Sequence, residues 1–244
     1  MPASGNNPLA RRDFLGMAAM TAGALALPGT ALAQAAAPAG DNPVQRLLML
    51  ASQNAFARLT TPEGFWNSRV ARFGLPSLFR KTPANASGPL GQDAFREQLQ
   101  RRLNALAESG ARGAAPIVGE FARKMTVADP AAILRGKPSA ATSLLRIEAG
   151  SSLVNAMLPA LEETLVAAQD PIVSQAVTAL AGVAMRDVAH AVALAADNGI
   201  WYEIGKAEAD IRANPALSND PALVEALRGA SAPALAPAVP TPTP

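Results

Sequence analysis

The apolar positions along most of the chain recur at intervals of three and four residues, which is the spacing of one helix face. The first series follows Asn42 and Pro43, a capping residue and a first-turn proline that together predict a helix start. Its apolar positions are Val44, Leu47, Leu48, Ala51, Ala55 and Leu59. A second helix is predicted from Gln92 to Ala107. Its apolar stripe consists of Phe95, Leu99, Leu103 and Leu106. No stretch alternates apolar and polar residues for long enough to predict a strand.

The middle of the chain continues this pattern. A helix from Ala111 to Lys124 is predicted to follow a break at Gly110. Either Thr126 or Asp129 caps the next helix, which stops at Gly136. Another helix begins at Ser139 and runs to about Ala168, with kinks expected at Gly150 and Pro159.

The last part of the body predicts two more helices. One begins at Asp170 and Pro171, and the other ends before Asn214 and Pro215. The apolar series of the first is Val173, Val177, Leu180, Ala184 and Val188, and that of the second is Ile200, Ile204, Ala207 and Ile211. Because connections are short, we expect an all-α, single-domain antiparallel helical bundle spanning residues 42–228.

One region, residues 61–91, is irregular yet rich in aromatic residues. It reads TPEGFWNSRVARFGLPSLFRKTPANASGPLG and combines turn formers with large apolar side chains. A loop of this composition is expected to pack against the body. Its basic and aromatic mixture also fits a membrane-surface or nucleic-acid patch, which is the alternative interpretation. The residues of that mixture are Arg69, Arg72, Phe73, Arg80 and Lys81.

The N-terminal segment predicts export. The sequence RRDFLGMAAM places Arg11 and Arg12 before Phe14 and Leu15, an arrangement similar to a twin-arginine signal. The apolar run that follows is too short to span a bilayer, and Ala31 and Ala33 supply the small residues of a cleavage site. We expect a signal peptide over residues 1–33, cleaved after about Ala33, and a periplasmic location. The general secretion route and an uncleaved anchor are the alternatives.

Composition narrows the function classes. Outside residues 1–33 the chain has 19 basic and 18 acidic residues, so its charge does not predict a nucleic-acid partner. The chain has no cysteine, which excludes a disulfide framework and a thiolate metal site. Residues 34–41 form a linker rich in small residues, and residues 229–244 a disordered tail rich in proline and alanine.

Few residues are arranged for catalysis. The single histidine, His190, follows Asp187 by one helical turn, but no nucleophile elbow completes a triad. Lys206 with Asp210 and Glu208 with Arg212 have the spacing of a solvated, salt-bridged helix face. No phosphate-binding motif is present. The sequence therefore predicts no catalytic residue, no metal ligand and no cofactor.

One segment resembles a known family. The sequence KMTVADPAAILRGKPSAATSLLR, residues 124–146, is similar to the central motif of the bacterial exported family catalogued as domain of unknown function 4197. The resemblance extends to EGFWNSRVARFGLPSLFRK, LNALAESGARGAAPIVGEFA and AADNGIWYEIGKAEADIRANP. It implies an all-helical exported domain and carries no established activity.

Two functional hypotheses follow. The first is a binding or structural module of the cell envelope without catalysis, in which Arg135, Thr142 and Arg146 contact an anion such as a carboxylate or a lipid phosphate. Its partner would be an envelope ligand or protein. The second is an envelope-acting hydrolase in which Glu203 and Glu208 share a cleft with Glu120 or Glu148. Peripheral membrane association is a third, minor alternative.

Overall fold

The computed structural model describes residues 42–80, 88–180 and 182–231. The signal residues Arg11, Arg12, Phe14, Leu15, Ala31 and Ala33, the linker, and the tail beyond residue 231 lie outside the described residues. Ten α-helices and no strands occur in the described ranges, which confirms the all-α prediction. None of the described helices is both long and apolar enough to cross a membrane.

The helices vary widely in length. The four long helices are α1 (Pro43–Leu59), α4 (Asp93–Lys124), α7 (Ser152–Ala168) and α9 (Met185–Ala213). The shorter ones are α2 (Gly64–Asn67), α3 (Ser77–Arg80), α5 (Pro130–Arg135), α6 (Ala140–Ala149), α8 (Pro171–Thr178) and α10 (Pro221–Ser231). Two 3₁₀ turns cover Pro89–Gly91 and Pro215–Ser218.

The four long helices pack on one another, and α4 contacts the other three. At one end of α1, the Gln45 side chain donates to the Met125 carbonyl at 2.8 Å, and at the other end Arg112 donates to the Thr60 carbonyl at 2.9 Å. Helices α1 and α4 therefore run antiparallel to each other. The predicted apolar face of α1 is buried throughout, from Val44 to Leu59.

Helix α4 corrects the predicted break at Gly110, because it continues without interruption to Lys124. A Cβ at Gly110 would lie 3.1 Å from the Leu161 side chain, and one at Gly113 would lie 3.0 Å from the Ala156 carbonyl oxygen. These glycines let α7 approach α4 closely, so they serve packing between helices and not termination. A helix can retain such residues when packing outweighs their low helix propensity.

Two other predicted helices are each divided into two in the structure. The segment from Ser139 to Ala168 is two helices, α6 and α7, because Gly150 adopts a φ of 53° that ends α6. The series from Val173 to Val188 is likewise divided, since α8 ends at Thr178 and α9 begins at Met185. Asp187 then accepts a hydrogen bond from the Ala184 backbone N–H at 2.7 Å and fixes the start of α9.

Helix α10 extends to Ser231, past the predicted start of the tail at residue 229.

In its described residues, 61–80 and 88–91, the irregular region between α1 and α4 packs on the body through its aromatic residues, as the first interpretation predicted. Lys81 of the basic and aromatic mixture lies outside the described residues. Phe65 and Phe79 are buried, and Phe65 meets Phe73 edge to face at 6.3 Å between ring centroids. The buried Asn104 accepts from the Phe73 N–H at 3.2 Å and donates to the Phe73 carbonyl at 2.9 Å. This side chain satisfies both backbone groups of Phe73, which holds the segment against α4.

Glu108 of α4 is a buried carboxyl beneath the same region. Its Oε1 atom has no hydrogen-bond partner among the described residues. Burial raises the pKa of Glu108 above its ordinary value of 4.5, while Arg112 and the backbone of Gly64 and Glu63 act in the opposite direction. A carboxyl with a raised pKa binds more protons in the folded state than in the unfolded state. Ionisation of Glu108 therefore lowers the free energy of unfolding as the pH rises through the raised pKa.

Glu108→Gln is expected to be more stable than the parent chain at neutral pH, because the amide keeps the shape of the side chain and carries no charge. The advantage should shrink as the pH falls toward 4.5, where the parent carboxyl takes up its proton. Urea unfolding of both chains at several pH values checks this. If the difference in the free energy of unfolding between the two chains were the same at every pH, the raised pKa assigned to Glu108 would be wrong.

Candidate ligand-binding cleft

A buried ionic network fixes the short helices α5 and α6 against α9. Glu208 is 0 % exposed, and its carboxylate accepts from the backbone N–H groups of Ala141 and Thr142 at 3.1 and 2.7 Å. The Thr142 hydroxyl donates to the same carboxylate at 2.6 Å. Glu208 thus satisfies the free N–H groups at the start of α6, where a negative charge is also favoured by the helix dipole.

Arg212 completes this network from the next turn of α9. Its guanidinium pairs with Glu208 at 2.7 Å and donates to the carbonyls of Leu134 and Ile133 at 2.6 and 3.2 Å. These carbonyls belong to the last turn of α5, so Arg212 satisfies groups that have no partner within the helix. The predicted Glu208–Arg212 pair exists, but the expectation that it lies on a solvated face is wrong. It is buried because α5 and α6 cover it.

A cleft of about 350 Å³ opens between α6 and α9 on the outer side of this network. Gly205 lies on the α9 side, where an added Cβ would be 3.3 Å from the Ser139 Cβ. The absence of a side chain at this position therefore leaves room for the turn that precedes α6. The polar and aromatic residues that line the cleft are Ser139, Thr142, Ser143, Arg146, Trp201, Tyr202 and Lys206.

Two cations and no carboxylate line the cleft among the described residues. Arg146 donates to Asn198 at 2.7 Å and pairs with Asp197 at 3.2 Å. Lys206 pairs with Asp210 at 2.6 Å on an exposed helix face, as its spacing predicted. Both cations are tethered by acceptors outside the cleft, so their positions are set before a ligand arrives.

Asp197 holds the inner wall of the cleft. It accepts from the Trp201 indole N–H at 2.9 Å as well as from Arg146. Burial raises the pKa of Asp197, and the hydrogen bonds from Trp201 and Arg146 partly oppose that increase. Trp201 is only 3 % exposed, whereas the neighbouring Tyr202 is 60 % exposed. The cleft therefore has a fixed aromatic wall and an accessible aromatic rim.

The three residues proposed from the sequence are only partly brought together. Thr142 and Arg146 both line the cleft, although the Thr142 hydroxyl is already bonded to Glu208. Arg135 is exposed at the end of α5 and is not among the lining residues. Sequence reasoning missed Tyr202 and Lys206, whose spacing of four residues on α9 places them on one helix face.

The carboxylates proposed for hydrolysis do not converge on one cleft. Glu203 is bonded to Arg58 and Ser68, both at 2.8 Å, on the side of α9 that faces α1 and α2. Glu208 faces α6 instead, while Glu120 and Glu148 are exposed. His190 is exposed, and Asp187 caps α9. Within the described ranges, no group of three His, Asp or Glu side chains could hold a metal ion.

A family model covers most of the chain. Residues 36–226 match the family described as a protein of unknown function, DUF4197. The chain belongs to this family. The match confirms the resemblance found in the sequence. No curated protein and no solved structure matches the chain.

Two segments that carry the DUF4197 resemblance meet at the cleft. Residues 124–146 supply α5 and the first part of α6, and the segment AADNGIWYEIGKAEADIRANP supplies the facing part of α9. Much of the central motif has a structural role. Asp129 caps α5 by accepting from the Ala132 N–H at 2.9 Å, and Thr142 bonds to Glu208. The motif of this DUF4197 chain therefore builds the wall of the cleft.

Proposed function

We propose that this DUF4197 chain is an exported, periplasmic module of the cell envelope that binds a small anionic ligand in the α6–α9 cleft, without catalysis of its own. The observation that carries the proposal is the lining of the cleft, which holds Arg146 and Lys206 and no carboxylate. The proposed location rests on the twin-arginine-like segment and on the small residues Ala31 and Ala33.

The geometry favours an anion with a small apolar part. Arg146 and Lys206 can each form a charge-assisted hydrogen bond with a carboxylate or phosphate oxygen. Ser139 and Ser143 add hydroxyl groups on the α6 side, and Tyr202 adds an accessible ring on the α9 side. The volume of about 350 Å³ is at the small end for ligand pockets, which suits a metabolite and not a polymer.

Isothermal titration with inorganic phosphate, acetate and succinate tests the proposal and separates phosphate from carboxylate recognition. At least one of these anions is expected to bind the parent chain. Arg146→Gln and Lys206→Gln should each weaken binding by about tenfold or more, since each removes a charge-assisted bond.

Arg135→Gln is the matched control, because it removes an exposed arginine that does not line the cleft. It should leave the affinity unchanged. Equal losses in all three variants would indicate a general charge effect and exclude the cleft. If none of the anions binds, and native mass spectrometry of chain recovered from its own periplasm detects no bound anion, the proposed function is wrong.

Export has a separate test. Fractionation of the producing cell is expected to place the chain in the periplasm, with an N-terminus beginning after about Ala33. Arg11→Lys with Arg12→Lys should retain the precursor inside the cell if the twin-arginine route is used. Normal export of that variant would favour the general secretion route instead.

A further inference from the structure

The turn between α2 and α3 presents basic and apolar side chains to the solvent. The Ser68 hydroxyl oxygen accepts from the Ala71 N–H at 2.9 Å, and the Arg72 N–H donates to the Ser68 carbonyl at 3.3 Å. This geometry buries Ala71 and directs Arg69, Val70 and Arg72 outward. Val70 is 38 % exposed, which makes it one of the large apolar side chains that the fold leaves uncovered.

Trp66 lies beside this turn with two guanidinium groups over its ring. The Arg72 Cζ atom is 5.1 Å from the ring centroid, and the Arg101 Cζ atom is 5.5 Å from it. Arg101 also pairs with Glu63. Within the described part of the chain, neither Arg69 nor Arg72 forms an ion pair. Trp66, Arg69, Val70, Arg72 and Arg101 are together called the Trp66 patch.

The Trp66 patch rests on a fixed support. Ser68 donates to the buried Glu203 of α9 at 2.8 Å, and the backbone of Ala71 lies directly against Gly199. Asn104 holds the backbone of Phe73 on the α4 side. Such anchoring means that little conformational entropy remains to be lost when the patch meets a partner.

We propose that the Trp66 patch docks this protein onto an anionic membrane surface. Arg69 and Arg72 supply positive charge that is not neutralised by a carboxylate, and anionic headgroups supply the complementary charge. Trp66 and Val70 supply the amphipathic ring and the apolar side chain that favour the boundary between headgroups and acyl chains. The contact is peripheral and independent of the α6–α9 cleft.

The same features disfavour a nucleic acid as the partner. Sequence-tolerant binding of single strands depends on aromatic faces that are open for base stacking. The Trp66 patch contains one aromatic side chain, so it offers no series of rings on which successive bases could stack. Outside residues 1–33 the chain has 19 basic and 18 acidic residues, which does not provide the excess charge that duplex binding requires.

Vesicle flotation tests the proposal on the full chain as purified after export. The probes are vesicles of phosphatidylcholine alone and vesicles with about one-third phosphatidylglycerol, and the measured quantity is the ratio of the two partition coefficients. The parent chain should prefer the anionic vesicles. Arg69→Gln with Arg72→Gln should reduce that preference by about tenfold or more, because each arginine near an anionic surface adds to binding.

The matched control is Arg123→Gln with Arg228→Gln, which removes two exposed arginines from α4 and α10 and leaves the patch intact. The control should keep the preference of the parent chain. All variants carry the same N-terminal segment, so differences between them report the altered arginines. Equal losses in the patch and control variants, or no preference in the parent chain, would overturn the proposal.

Tryptophan fluorescence gives a second readout. The chain has two tryptophans, and Trp201 is buried, so a blue shift on adding anionic vesicles should come from Trp66. Trp66→Phe should abolish the shift while leaving the far-UV circular dichroism unchanged. A shift that persists in this variant overturns the placement of Trp66 at the membrane. Binding of labelled single-stranded RNA without vesicle binding would replace the membrane with a nucleic acid as partner.

Discussion

Glu208→Ala is expected to lower the free energy of unfolding by about 3–5 kcal/mol, the range for breaking a buried ion pair from one side. The substitution leaves the Arg212 guanidinium without its carboxylate at a site where the side chain is only 10 % exposed. It also leaves the N–H groups of Ala141 and Thr142 without their acceptor. Each unsatisfied buried donor adds its own desolvation cost.

Asp210→Ala provides the control for this prediction. Asp210 lies two residues away on the same helix and also pairs with a cation four residues distant, but that pair is exposed. Its loss should change the free energy of unfolding by about 0.5 kcal/mol or less. Urea unfolding followed by circular dichroism measures both variants. Similar values for Glu208→Ala and Asp210→Ala would contradict the role assigned to the network.

The contrast between these two carboxylates marks one limit of sequence reasoning. Glu208 with Arg212 and Lys206 with Asp210 have the same spacing and comparable residue types, and both pairs form. Only the position of α5 and α6 distinguishes them, since those helices cover the first pair and not the second. Burial of this kind depends on residues far apart in the sequence, and a local pattern does not contain it.

Helix starts are predictable from the sequence where a capping side chain bonds to the backbone two residues further on, because that interaction is local. Asn42 accepts from the Val44 N–H at 2.9 Å, and Asp170 accepts from the Ile172 N–H at 2.9 Å, as their caps predicted. Helix continuity was less predictable, because a glycine within a helical pattern has two meanings. Gly150 ends α6, whereas Gly110 continues α4 because Leu161 packs against it.

The cleft was predictable only from one side. Thr142 and Arg146 share a face of α6, which their spacing indicates, and both line the cleft. Arg135 closes the preceding helix, which predicts that it lies near Thr142 and Arg146, but it is exposed and does not line the cleft. Tyr202 and Lys206 belong to α9. No local sequence pattern indicates that this face of α9 packs against α6.

Gly199 of α9 leads to the second large effect. Gly199→Ala is expected to destabilise the fold by about 3 kcal/mol, since the added Cβ would lie 2.6 Å from the Ala71 carbonyl oxygen and 3.1 Å from the Ala71 Cα. Both atoms belong to the backbone, so no side chain can rotate away. The turn that carries Arg69 and Arg72 would have to move.

Gly119→Ala makes the same chemical change in a different setting. Gly119 lies inside α4, and nothing lies within 4 Å of the Cβ that the substitution would add. Because alanine favours a helix more than glycine does, this variant should be more stable than the parent chain by about 0.5–1 kcal/mol. Urea unfolding of both variants should therefore give changes of opposite sign. A stabilised Gly199→Ala variant would show that the turn yields easily, and the rigid support inferred for the Trp66 patch would then be wrong.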